Sequence, residues 1–106
     1  MLEVIKNELN SLEVIESSAA GEELEYVLIK NNKENQKKIN DLLCLAHNWA
    51  IIPEKFAPRT YEFINDCKKE SDGYLDLAYL VYNFFEGIDV ECLGFSQKRG
   101  QWELEI

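Results

Sequence analysis

The sequence has few of the residues that build metal, disulfide or phosphate sites. Its 106 residues include one histidine, three cysteines and five glycines, and no glycine-rich phosphate-binding loop is present. The cysteines are odd in number and far apart, which predicts reduced thiols in a cytoplasmic protein rather than a disulfide framework. No motif in the sequence identifies a catalytic chemistry, and we predict neither catalytic residues nor a cofactor.

Long apolar runs are also missing. A membrane-spanning helix needs about 20 predominantly apolar residues, and no stretch approaches that length. The first ten residues, MLEVIKNELN, contain two glutamates and no apolar run, a pattern that predicts neither a signal peptide nor a membrane anchor. We therefore expect no contact with a membrane.

Acidic side chains are abundant and unevenly distributed. The net charge is −9, with 20 acids against 11 bases. Residues 1–29 hold seven acids and one lysine, residues 30–59 hold six bases and three acids, and residues 60–91 hold eight acids and two lysines. Such a surface repels nucleic acid and attracts basic partners. The alternative interpretation is that the charge serves only solubility.

The segment Tyr74–Glu86, reading YLDLAYLVYNFFE, is the most apolar stretch of the chain. Its composition predicts a helix buried on nearly all sides at the centre of the fold. Ser71-Asp72-Gly73 supplies capping side chains before it, and Gly87 suits a helix end. With 46% apolar residues, the chain has enough core-forming side chains for one domain over residues 1–106.

Hydrophobic periodicity and turn residues place the other elements around this helix. The pattern predicts helices over 2–9, 33–47 and 59–69, and strands over 11–17, 24–30, 88–96 and 101–106. Residues 11–17 also fit an extension of the first helix. Together the pattern indicates an α+β fold, with an antiparallel sheet of about four strands in two hairpins and three or four helices mainly on one face.

Three candidate sites compete with plain structural roles. Cys44 and His47, with Cys67 and Cys92, have the composition of a zinc site, but only one pair is closely spaced. Cys44 and His47 also form a candidate nucleophile pair that lacks a convincing third group. We interpret the cysteines as free and expect no bound metal. A lysine cluster could bind phosphate or be solvated surface, and we favour the second interpretation; its members are Lys30, Lys33, Lys37 and Lys38.

The outer face of the predicted sheet gives the leading site hypothesis. If Trp102 and Leu104 point toward the helices, strand alternation places acids and large apolar side chains together on the opposite face. An apolar centre with a charged rim is typical of a partner-binding surface. The predicted partner-binding residues are Glu25, Glu91, Leu93, Phe95, Glu103 and Glu105. Alternatively, residues 2–9 cover this face as a second layer.

These features favour a binding protein over an enzyme. The length, acidity and lack of motifs are similar to those of toxin-immunity proteins and phage-encoded inhibitors, which predicts a module that blocks a basic or nucleic-acid-binding partner protein. One alternative is a ligand-binding or enzymatic domain with a pocket near Trp49, Phe56 and the tyrosines of residues 74–86. Another is a subunit of a larger complex or a homodimer.

Overall fold

The structure, a computed structural model, describes residues 2–21, 23–47, 53–68, 73–85 and 90–105. The helices are α1 (Leu2–Asn10), α2 (Lys33–Ala46), α3 (Ala57–Lys68) and α4 (Leu77–Phe84), with short 3-10 helices at Pro53–Phe56 and Val90–Cys92. The strands are β1 (Val14–Ala20), β2 (Glu23–Lys30), β3 (Tyr74–Asp76), β4 (Leu93–Ser96) and β5 (Gln101–Leu104).

The predicted α+β class is confirmed, but the strands form two sheets instead of one. Strands β1, β2 and β3 form a three-stranded antiparallel sheet in that order. Both faces of residues 24–30 are apolar beyond Glu25, which predicts a central strand, and β2 is central. Strands β4 and β5 form a separate two-stranded sheet. Buried side chains from both sheets and all four helices join in a single hydrophobic core. No helix among the described residues combines the length and apolar character needed to cross a bilayer.

Helix α2 has the cap and the apolar stripe that its sequence predicts. The Asn32 side chain accepts a hydrogen bond from the Asn35 amide at 2.8 Å, which satisfies one backbone donor of the first turn. The predicted stripe is buried, with Ile39 and Leu43 fully inaccessible to solvent. The helical periodicity of the apolar residues therefore predicted correctly which face of α2 packs against the core.

The apolar segment 74–86 is not one helix. Its first three residues form β3, which pairs with β2 through Leu75 opposite Ile29, and α4 begins only at Leu77. The chain passes from strand to helix at Asp76, which caps α4. Its Oδ1 accepts hydrogen bonds from the Ala78 amide at 2.9 Å and from the Val27 amide of β2 at 3.0 Å. The predicted caps at 71–72 and 87 lie outside the described residues.

Strand alternation in residues 24–30 predicts that Leu24, Tyr26 and Leu28 point toward the helices, and for Tyr26 and Leu28 this prediction is wrong. Val27 and Ile29 are fully buried, whereas Tyr26 and Leu28 are half-buried on the other face. Both faces of β2 are apolar, so alternation alone cannot decide which one faces the core. The register with β1 also skips Glu25, and this bulge lets Leu24 pack against the core on the side of Val27.

Both ends of β1 and the buried face of α3 also differ from the predicted ones. Strand β1 starts at Val14 rather than at residue 11 and continues through the expected loop to Ala20, before a turn at Gly21 with a φ of 66°. In α3, helical spacing predicts one buried face with Tyr61, Ile64 and Cys67. Phe63, Ile64 and Cys67 are buried as core residues, whereas Tyr61 is 67% exposed.

Helix α1 is hydrogen-bonded to strand β5. The Asn10 side-chain amide donates to the Trp102 carbonyl at 3.0 Å, and its Oδ1 accepts from the Trp102 amide at 2.7 Å. Asn10 therefore satisfies the backbone amide and carbonyl of Trp102 on β5, as a neighbouring strand would. Ile5 and Leu9 are fully buried. Thus α1 lies along the edge of the β4–β5 sheet, where it also contacts α2.

Candidate functional site

The residues predicted to form one partner-binding face are divided between the two sheets. Glu25 lies at the bulge of β2 and is exposed, with its Oε1 3.3 Å from the Ser18 hydroxyl. The other five predicted residues lie on or beside the β4–β5 hairpin. Because the two hairpins belong to different sheets, the structure does not provide the single outer face that the sequence indicated.

The prediction that Leu93 and Phe95 face outward is wrong. Leu93 is only 2% exposed, and Phe95 is half-buried with its ring against that of Trp102, 5.5 Å between centroids. Leu93 is paired with Leu104 and Phe95 with Trp102, and directly opposed residues share one face of a hairpin. The misassignment arose because Val90–Cys92 forms a 3-10 turn, so strand alternation cannot be counted from Val90.

The acidic members of the predicted set remain at the surface. Glu91 and Glu105 are exposed, and Glu103 is half-buried on the face of β5 opposite Trp102, as the alternation predicted. Glu105 lies across Gly94, where an added Cβ would stand 2.5 Å from the Glu105 Oε1. The missing side chain at Gly94 therefore makes room for the Glu105 carboxylate on this face.

Glu103 is engaged by an intramolecular partner. Arg99 contacts both carboxylate oxygens, with the Nε 2.7 Å from Oε2 and the Nη2 2.7 Å from Oε1. Paired donors of this kind hold a carboxylate in its ionised form. The hydrogen bond from Arg99 is the main cause that lowers the pKa of Glu103. Glu103 is therefore less available to an external cation than Glu105.

We expect Arg99→Ala to raise the Glu103 pKa toward its ordinary value of 4.5. A carboxylate with a lowered pKa contributes to stability above that ordinary value, and the contribution is lost as the pH falls through the folded-state pKa. A carbon-detected NMR titration of the Glu103 side chain in both proteins measures the shift. Identical Glu103 curves in the two proteins would contradict the pairing.

The surface of α4 carries two exposed aromatic side chains that the sequence interpretation had placed in the core. Tyr79 is 37% exposed and Tyr82 is 48% exposed, one turn apart on the same side of the helix. Asn83 is exposed beside them and donates a side-chain hydrogen bond to the Tyr79 carbonyl at 3.0 Å. The inward side of α4 buries Leu77, Leu80 and Val81 completely. Helix α4 is therefore amphipathic and not apolar all round.

Acidic side chains border these tyrosines. The Tyr79 hydroxyl donates to Asp66 Oδ2 of α3 at 3.2 Å, and exposed Glu62 lies one helical turn before Asp66. Burial raises the pKa of Tyr82, and the charge of Glu105 adds to that rise. We call this surface the tyrosine face; its members are Glu62, Asp66, Tyr79, Tyr82, Asn83 and Glu105.

The tyrosine face rests on a rigid aromatic base. The Tyr79 ring stacks on that of Phe63 with centroids 6.2 Å apart, and Phe63 in turn meets Phe84 edge-on at 5.6 Å. The Arg59 guanidinium lies over the Phe84 ring, 5.4 Å from its centroid. Since these contacts fix the orientation of Tyr79, the ring can meet a partner without losing much conformational freedom.

The cysteines and the histidine do not form an evident reaction centre. Among the described residues, no three His, Cys, Asp or Glu side chains are grouped closely enough to hold a metal ion. Burial, with the charges of Asp41 and Glu54, raises the pKa of the Cys44 thiol, which disfavours the thiolate that a nucleophile needs. His47 instead stacks on Phe56, with 4.9 Å between ring centroids.

The lysine-rich start of α2 is partly neutralised within the helix. Lys37 pairs with Asp41 at 3.2 Å, and Lys38 lies 3.8 Å from Glu34.

An open groove of about 440 Å³ separates α2 from α3; it is lined by Lys33, Gln36, Lys37, Asn40, Ala57, Thr60, Tyr61 and Ile64. Of the residues predicted from the sequence to line a pocket, Trp49 lies outside the described residues, and Phe56 is buried against His47.

No protein-family model matches this sequence, and comparisons with curated proteins and with solved structures found no match. Function therefore has to be inferred from the surfaces described above.

Proposed function

We propose that this protein is a small acidic binding module that covers a basic surface of another protein, in the manner of an immunity protein or an inhibitor. The supporting observation is the tyrosine face, where two half-exposed phenol rings are accompanied by carboxylates of α3 and by Glu105, the residue after β5. Binding there would block the partner from its own ligands, nucleic acid included. No catalytic step is part of this proposal.

Tyrosines and carboxylates would have different tasks in such a complex. Tyrosine is enriched among the residues that dominate binding energy, because it buries a large ring and keeps a polar hydroxyl. The Glu62 and Glu105 carboxylates would attract a basic partner and speed its encounter, an effect that salt screens over about 8 Å at physiological ionic strength. The net charge of −9 acts in the same direction over longer distances.

The test is quantitative affinity capture from a lysate of the source organism with three immobilised proteins. They are the wild type, Tyr82→Ala on the tyrosine face, and Tyr61→Ala as the matched control. Tyr61 is even more exposed, at 67%, and lies on α3 beside the groove toward α2. We expect a basic protein retained at equal stoichiometry by the wild type and the control and depleted by Tyr82→Ala.

Rate measurements on the captured partner then separate anchoring from steering. Truncating a central aromatic anchor typically weakens binding about 30-fold or more, mainly through faster dissociation. We expect that loss for Tyr82→Ala and a slower, less salt-dependent association for Glu62→Lys. A partner that binds Tyr82→Ala as tightly as the wild type, or one whose binding surface is acidic, would overturn the proposal. Matching thermal melts confirm that the variants remain folded.

The groove between α2 and α3 supports the second candidate, a small-ligand site. Its volume of about 440 Å³ falls within the range of small-molecule pockets, and Lys33 and Tyr61 at its rim suit a ligand with an anionic group and a flat apolar part. We rank it second because the groove is open to solvent, whereas ligand sites usually enclose most of the ligand.

A further inference from the structure

The outer edge of β1 is a second surface with unused bonding groups. Strand β1 is the first strand of the three-stranded sheet and pairs with β2 alone. No backbone hydrogen bond joins Val14–Ala20 to any other element that the structure describes. A strand in that position presents a row of amide and carbonyl groups to which another chain can pair.

Most of this edge lacks the usual protection against added strands. Natural edge strands are shielded by proline, inward charges, lysine or bulges. Here a bulge at Ile15, where the register moves from Val14 opposite Ile29 to Glu16 opposite Leu28, disturbs the beginning of the strand, and the second register shift, between Ser18 and Ala19, comes from the extra residue Glu25 on β2 and not from β1 itself. The remainder is Ser17, Ser18, Ala19 and Ala20, whose side chains are small. Ala19 and Ala20 are exposed, and the Ser17 hydroxyl donates to Gln97 Oε1 at 3.0 Å. The opposite edge of the sheet, β3, has only three residues.

The charges around this edge indicate what kind of strand it accepts. Glu13, Glu16, Glu23 and Glu25 are all exposed on the β1–β2 hairpin. None of the four carboxylates has an ion-pair partner among the described residues, and Glu25 contacts only the Ser18 hydroxyl. Two copies of this hairpin would bring like charges together, whereas a lysine- or arginine-bearing strand would neutralise them.

We infer that β1 binds an extended basic segment of the partner protein, which adds as a fourth strand to the three-stranded sheet. Main-chain hydrogen bonds would supply the pairing, and the four glutamates would select for basic side chains. This inference rests on the proposed function, since it assumes the same basic partner. It adds a contact surface on a different part of the molecule from the tyrosine face.

The probe is a blocked seven-residue peptide of alternating lysine and valine, titrated into ¹⁵N-labelled protein. We expect shifts centred on the amides of Ser17–Ala20 and slower hydrogen exchange at those amides that point outward. A fully N-methylated peptide of equal charge cannot donate backbone hydrogen bonds. Since each lost bond weakens binding several-fold, we expect it to bind at least about tenfold more weakly.

Three further variants test the role of charge and the independence of this site. Glu16→Gln with Glu25→Gln should weaken binding of the peptide, whereas Glu8→Gln with Glu54→Gln, which changes the net charge equally at exposed positions elsewhere, should not. Tyr82→Ala should bind the peptide like the wild type.

Three results would overturn the inference. They are equal binding of the N-methylated peptide, shifts confined to other surfaces or no shifts at all, and protection of Ser17–Ala20 in a peptide-free dimer. Loss of peptide binding at β1 would leave the capture result at Tyr82 unchanged, so failure of this inference is distinguishable from failure of the proposed function.

Discussion

Replacing Leu80 by alanine is expected to lower the free energy of unfolding by about 2–5 kcal/mol, the usual range for emptying a buried leucine site. Leu80 is fully buried at the middle of α4, and Leu77 one turn earlier is equally inaccessible. The same loss is expected for Leu77→Ala. A reduction of that size is a large fraction of the stability of a domain of this length.

Denaturant unfolding of each variant measures this loss, and Tyr82→Ala provides the matched control. Tyr82 lies on the same helix but is 48% exposed, so its truncation should cost less than about 1 kcal/mol. Equal losses for Leu80 and Tyr82, or losses below about 0.5 kcal/mol at both leucines, would show that α4 does not pack as the structure indicates.

The second large effect is expected at Asp76. Asp76→Ala removes the acceptor for the Val27 amide of β2 and for the Ala78 amide at the start of α4. Loss of a helix N-cap costs about 0.5–2 kcal/mol, and an unsatisfied buried donor costs about 1–3 kcal/mol more. We expect a total of about 2–4 kcal/mol.

Asparagine at the same position separates the hydrogen bonds from the size of the side chain. Asp76→Asn keeps an acceptor oxygen at Oδ1 and remains a good N-cap, so its stability should stay within about 1 kcal/mol of the wild type. Urea unfolding curves of the two variants decide the matter. If alanine and asparagine destabilise the protein equally, the bridge between β2 and α4 contributes little.

Local patterns predicted those elements whose structure is decided by nearby residues. Helix α2 has a capping asparagine and a regular apolar stripe, and β4–β5 has a turn with Gly100 at a φ of 65°. Both follow from short-range rules of capping and turn geometry. The central position of β2 followed from its two apolar faces.

The missed features depend on contacts between distant residues. Tyr74–Asp76 forms a strand because it pairs with β2. The sequence of residues 74–86 alone does not indicate that pairing. The bulge at Glu25 changes which side chains of β2 face the core, although the local alternation of residues gives no sign of it. The division into two sheets likewise depends on how separate hairpins meet in space.

The spacing of residues in the sequence indicates the tyrosine face, but the apolar composition of the segment obscures it. Counting tyrosine as apolar made residues 74–86 look uniformly hydrophobic. On a helical projection, Tyr79, Tyr82 and Asn83 share one side, and an asparagine there indicates exposure. The neighbouring carboxylates could not be predicted, because Asp66 and Glu105 come from a different helix and from the end of the last strand.

The hydrogen bonds between Asn10 and Trp102 also bear on the order in which the molecule folds. They join residues 92 positions apart, whereas the β1–β2 and β4–β5 hairpins close over a few residues. Chain closure over long separations costs entropy that local pairing does not. We therefore expect the hairpins and α2 to form early and the Asn10 contact to form late. An interaction made that late mainly sets how slowly the folded protein opens.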